Sequence, residues 1–131
     1  MTETEQDRLV DLFWDGFEVP TLQSQRGLEL YYDWVETEDW IAGPIYTIAN
    51  GGTWDRLFAD DEGPLAKVRN VAALLAWYNK PIELFRQRVD DYRPRSAAGQ
   101  ADKETLLRKV AILRELGYLA ATIHSARSEV P

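Results

Sequence analysis

His124 is the only histidine in the chain, so a Ser–His–Asp triad, an imidazole acid–base step or a histidine metal site would each have to use it. Ser125 follows it directly, but consecutive residues on a helix point about 100° apart, and adjacency gives no hydrogen-bonded pair. A structural histidine is therefore expected. There is no cysteine, which excludes thiolate metal sites, iron–sulfur clusters, disulfides and cysteine nucleophiles. Carboxylates are the richer resource. Asp33, Glu36, Glu38 and Asp39 form one cluster, and Asp60, Asp61 and Glu62 another. Either set could do acid–base work or bind an oxygen-liking cation. Neither has the alternating acids, mid-loop glycine and distal glutamate of a calcium loop, so solvated acids are the expectation and no metal or cofactor is expected.

Tyr31, Tyr32, Trp34, Trp40, Tyr46 and Trp54 crowd around the first acidic cluster. Acids beside aromatic platforms occur in carbohydrate sites, where a carboxylate pair can perform hydrolysis. Aromatic rings also fill cores and anchor protein interfaces. With no fixed spacing to indicate a catalytic pair, the pattern points to a docking surface. Its expected residues are Tyr31, Trp34, Glu36, Asp39, Trp40, Trp54, Asp60, Asp61 and Glu62.

The charge pattern favours the same reading. Residues 1–65 carry 3 Lys/Arg against 15 Asp/Glu, a net of −12, whereas residues 66–131 carry 12 against 7, a net of +5. The basic patch centres on Arg86, Arg88, Arg93 and Arg95 and continues through Lys103, Arg108 and Lys109. An overall charge of −7 and a pI near 4.7 argue against direct nucleic-acid binding, which normally needs an excess of positive charge across the domain. Three arrangements fit the asymmetry. The halves can neutralise each other within one molecule, copies can associate head-to-tail into a homo-oligomer, or the acidic half can fill the basic groove of a nucleic-acid-binding protein.

The elements that must position these residues read as helices. At 131 residues the chain has the length of one domain, and apolar residues recur mainly at helical spacing. The expected fold is all-α: a compact bundle of about five helices with an irregular, partly extended segment around residues 37–52. Thr4 and Asp7 form a capping box for a first helix that Gly16 should end. A second helix follows over 22–36, and Gly43-Pro44 and Asn50-Gly51-Gly52 then signal turns. A short helix over 54–59 precedes an apolar helix over 65–78. Pro81 should bend the chain and open another helix to Asp91. Residues 93–101 read as a flexible linker before Asp102 caps a last helix to Ser125, with Leu106, Val110, Leu113, Gly117, Ala120 and His124 along one side.

The polar, acidic start lacks the pattern of a signal peptide, and no apolar run is long enough to span a membrane. A cytoplasmic location is expected. The functional expectation is a non-enzymatic adaptor, accessory subunit or inhibitor that presents an acidic, aromatic-rich surface to another protein, one of basic character. The alternatives are an acidic inhibitor of a nucleic-acid-binding protein and a small carboxylate-dependent hydrolase.

Overall fold

The computed structural model describes residues 4–51 and 71–128, with side chains described for 4–51 and 75–124. All regular structure among these residues is helical: α1 (Glu5–Phe17), α2 (Gln25–Ala49), α3 (Val71–Asp91) and α4 (Ala97–Ser128). The all-α class is as expected, but there are four helices among the described residues where about five were anticipated. The expected helix over 54–59, and the part of the 65–78 segment before Val71, lie outside the described residues.

The capping box at the start of α1 is present. The Asp7 amide donates to Thr4 Oγ1 at 3.1 Å, and the Thr4 amide donates back to Asp7 Oδ2 at 3.4 Å. Gly16 does not end this helix. It lies one residue inside the C-terminal end because Leu116 of α4 packs against it, and a Cβ there would sit 2.5 Å from Leu116 Cδ1.

Both proline signals were overridden by burial. Proline removes one amide donor and disfavours a continuing helix, yet α2 runs through Gly43-Pro44 and α3 through Pro81. In α2, Trp34, Ile41, Ile45 and Ile48 bury one face on both sides of Pro44; in α3, Tyr78, Ile82, Phe85 and Val89 do the same across Pro81. Each stripe holds its helix in register on the core, and this apolar burial outweighs one missing hydrogen bond. The irregular segment expected over 37–52 is thus helical to Ala49. The effective stop is Asn50-Gly51: both amides bond back into the last turn, and Gly51 takes a φ of +91°, a left-handed conformation that suits glycine.

α4 packs against α1, α2 and α3. Leu106, Val110, Leu113, Gly117, Ala120 and His124 are all buried on it, as their spacing predicted. Gly117 admits the Tyr78 ring, whose edge would lie 2.6 Å from a Cβ at that position, and the Tyr78 hydroxyl donates to the Leu113 carbonyl at 2.6 Å. The helix begins earlier than expected. Ser96 caps it, accepting from the Gly99 amide at 3.0 Å, so residues 97–101 are helical and the connection from α3 is short.

Asp102, expected to cap α4, instead braces Ser24, the residue that caps α2 by accepting from the Gly27 amide at 3.0 Å. Its carboxylate accepts from the Gln23 amide at 2.9 Å, the Ser24 amide at 2.6 Å and the Ser24 hydroxyl at 2.5 Å. Two lysines of α4 serve opposite helix ends. Lys103 Nζ donates to the Asp90 and Tyr92 carbonyls at 3.0 and 2.8 Å, and Lys109 Nζ donates to the Gly16 and Glu18 carbonyls at 2.6 and 2.9 Å. One helix therefore supplies an anion to a helix N-terminus and cations to two C-termini, where backbone groups lack intrahelical partners and the helix dipole favours those signs.

Burial of Asp102 would raise its pKa, but the bonds from Ser24 and Gln23 prevail and hold it below the usual value. A carboxylate pKa that is lower in the folded state stabilises the fold above the unfolded pKa and loses that contribution as pH falls. Asp102→Asn is expected to cost roughly 2 kcal/mol at neutral pH, the scale of hydrogen bonds to a charged group, and to flatten the acid limb of the stability profile. Urea titrations from neutral pH down to the acid limb check both effects.

Candidate protein interface

The phase of α2 sorts the acidic aromatic cluster into two faces. Leu30, Tyr31, Trp34, Glu38, Ile41, Ile45 and Ile48 are buried, while Glu29, Tyr32, Asp33, Glu36, Asp39, Trp40 and Tyr46 are exposed. Tyr32, Glu36 and Trp40 recur at four-residue spacing and so share one stripe. Tyr32 is 66% exposed and Trp40 70%.

Tyr31 and Trp34, expected at the docking surface, belong to the core. The Trp34 ring stacks on Phe85 with centroids 4.7 Å apart, and its indole N–H points to Glu38 at 3.4 Å. The Tyr31 hydroxyl donates to Glu38 at 3.3 Å. Burial, reinforced by the Glu38 charge and hydrogen bond, pushes the Tyr31 phenol up to about 12. The correction follows from helical geometry: residues 31, 34 and 38 share the inward face, a quarter-turn or more from residues 32, 36 and 40. Trp54, Asp60, Asp61 and Glu62 lie outside the described residues.

Glu38 is the one acid of the first cluster that turns inward. Its carboxylate meets Lys109 Nζ at 2.5 Å, and both side chains are 5% exposed. With its bonds to Gly16 and Glu18, the ammonium has three oxygen partners and also lies 5.7 Å from the centre of the Tyr31 ring. The pair ties together α2, α4 and the end of α1, and reinforces the rotation of α2 that its buried apolar stripe sets.

Asp33, Glu36 and Asp39 have no ion-pair partner among the described residues, whereas Glu29 pairs with Arg26 at 3.2 Å. Among the described residues, ion pairs cancel little of the charge asymmetry. Lys109–Glu38 is the one ion pair among the described residues that joins an acid of the first half to a base of the second; Arg8–Glu115 runs the other way. Parts of the expected basic patch are occupied. Arg86 bonds to Glu83 and Asp90, and Glu83 also takes Arg114 at 2.6 Å. The Arg93 guanidinium donates to the Asp90 carbonyl at 2.6 Å. Arg88 and Arg95 are exposed.

A groove of about 310 Å³ runs between α2 and α3 beside the exposed stripe, lined by Glu36, Thr37, Trp40, Ile41, Trp77 and Pro81. A smaller one of about 110 Å³ adjoins it, with Asp33, Leu84 and Arg88 among its walls. A third hollow, about 450 Å³, lies across α3 and α4 around Leu107, Ala111 and Tyr118. Among the described residues no three metal-ligating side chains come together, and no helix is long and apolar enough to cross a membrane.

Sequence reasoning missed Trp14, which is 67% exposed on α1 and meets Phe13 edge-on at 5.4 Å. Phe13 in turn touches Tyr46 of α2, with centroids 5.9 Å apart, so the exposed aromatic surface continues from α2 onto α1. The signal was present in the sequence. Trp14 sits between Asp11 and Asp15, away from the face that Leu9 and Gly16 bury. No protein-family model matches the chain, and no curated protein or solved structure does either.

Proposed function

We propose that the chain is a non-enzymatic interaction protein that docks a basic partner protein on the outward face of α2. The observation that carries this reading is the placement of Tyr32 and Trp40 on one exposed stripe with three carboxylates, Asp33, Glu36 and Asp39, that have no ion-pair partner among the described residues. Large aromatic rings on a rigid helix anchor protein interfaces at low entropic cost, and unpaired like charges around them select a partner of opposite sign.

A heterologous partner fits better than a second copy, because Arg86, Arg93 and Arg114 of the basic half already have acceptors within their own molecule. The same chemistry accommodates an inhibitor that occupies a basic groove. A carboxylate-dependent hydrolase is less well supported, since it would need facing acids withdrawn from water, whereas Glu36 and Asp39 are exposed on one helix.

The test places a photo-crosslinking side chain at Tyr32 in the protein's native cells, with the same group at the exposed Arg108 of α4 as the control. The expected result is one dominant adduct with a basic protein from position 32, abolished in Asp33→Asn/Glu36→Gln/Asp39→Asn. Equal adducts from both positions, or none from position 32, would refute the reading.

A further inference from the structure

We infer that the groove between α2 and α3 is a seat for a single arginine side chain of the basic partner; this rests on the docking reading above. Three observations converge on it. The groove is lined by two tryptophans, Trp40 and Trp77, together with Glu36 and Thr37. Pro81 forms part of the same wall, and having no N–H it leaves the Trp77 carbonyl without the amide donor that a helix would supply. At about 310 Å³ the groove lies at the lower limit of cavities that hold a whole small molecule, roughly 300–1,000 Å³, and suits one side chain.

These features select a guanidinium. Its plane stacks on indole faces, where the ring quadrupole attracts a cation. Its fixed fork of N–H donors can bond a carboxylate with two hydrogen bonds and still reach a further oxygen. The ammonium of lysine is more strongly hydrated and has no planar face to stack. Glu36 is the acid placed for the incoming charge: it lines this groove and has no ion-pair partner among the described residues, whereas Asp33, equally unpaired, lines the adjoining groove.

The experiment titrates the full chain, isotopically labelled, with the amides of tetra-arginine, tetra-lysine and tetra-glutamine at low salt and follows the tryptophan indole resonances. Tetra-arginine is expected to shift the Trp40 and Trp77 indoles together while leaving Trp34 unmoved. It should bind about fivefold tighter than tetra-lysine, reflecting the stacking and forked bonding that lysine lacks. Glu36→Gln, a surface change that leaves the core intact, is expected to weaken tetra-arginine binding by a similar factor, and tetra-glutamine should not bind. If backbone resonances around Tyr32 and Asp39 shift while Trp40 and Trp77 stay still, the arginine seat is wrong and the docking face stands. If no basic peptide shifts any resonance of α2, both fall. Equal binding of tetra-lysine overturns the arginine assignment.

Discussion

Replacing Lys109 with methionine is expected to lower the unfolding free energy by roughly 3–5 kcal/mol, the usual effect of removing one partner from a buried ion pair. Methionine fills much of the space left by the lysine stem, so the loss is mainly electrostatic. The Glu38 carboxylate, buried in the core, would keep only the long bonds from Tyr31 at 3.3 Å and Trp34 at 3.4 Å, and the Gly16 and Glu18 carbonyls at the end of α1 would lose their shared donor. For a domain of this size the midpoint of thermal unfolding should fall by roughly 10–20 °C. Glu38→Leu added to Lys109→Met removes the stranded charge and should restore part of that stability. Thermal and urea unfolding followed by circular dichroism measures all three proteins. A loss of less than about 1 kcal/mol for Lys109→Met, the range of solvent-exposed ion pairs, would show that the pair is not a buried clamp.

The clamp bears on function because it reinforces the rotation of α2 that the apolar stripe sets. With Glu38 drawn inward to Lys109, residues 32, 36 and 40 face solvent. Loosening it in Lys109→Met should blur the docking face as well as weaken the fold.

The helical class was legible because apolar residues recur at helical spacing along α1 and α4, and the Thr4 cap and the buried side of α4 followed directly from that pattern. The two prolines misled because a local turn signal carries no information about the burial that opposes it. Ile41, Ile45 and Ile48 on either side of Gly43-Pro44, and Ile82, Phe85 and Val89 after Pro81, were visible in the sequence, but their weight depends on a core built from distant residues. Asp102 illustrates the same limit. Aspartate near a helix start is a cap by local rules, yet this carboxylate serves Gln23 and Ser24, 79 and 78 residues away.

The site was half legible. Composition showed acids and aromatic rings together, while their division into core and surface depended on the helical phase of α2. Treating 37–52 as irregular hid that phase, so Tyr31 and Trp34 were grouped with Trp40 although they lie on the opposite side of the same helix.

The second large effect concerns the partner. Asp33→Asn/Glu36→Gln/Asp39→Asn removes three exposed charges that no described residue pairs, so the fold should keep its stability or gain slightly from reduced self-repulsion. Binding depends on the same charges. At low salt the triple variant is expected to bind the basic partner about 30–100-fold more weakly, with the difference shrinking as salt screens the contacts. Trp40→Ala, which removes a ring 70% exposed in the free protein, is expected to weaken binding about 30-fold or more at any salt, the scale of an interface hot spot. The most direct measurement is therefore the dissociation constant of the crosslink-identified partner for the wild type, the triple variant and Trp40→Ala over a salt series. The predicted result is a steep salt dependence for the wild type that flattens in the triple variant, and a salt-independent loss for Trp40→Ala. Unchanged affinity in both variants would contradict a docking role for the outward face of α2.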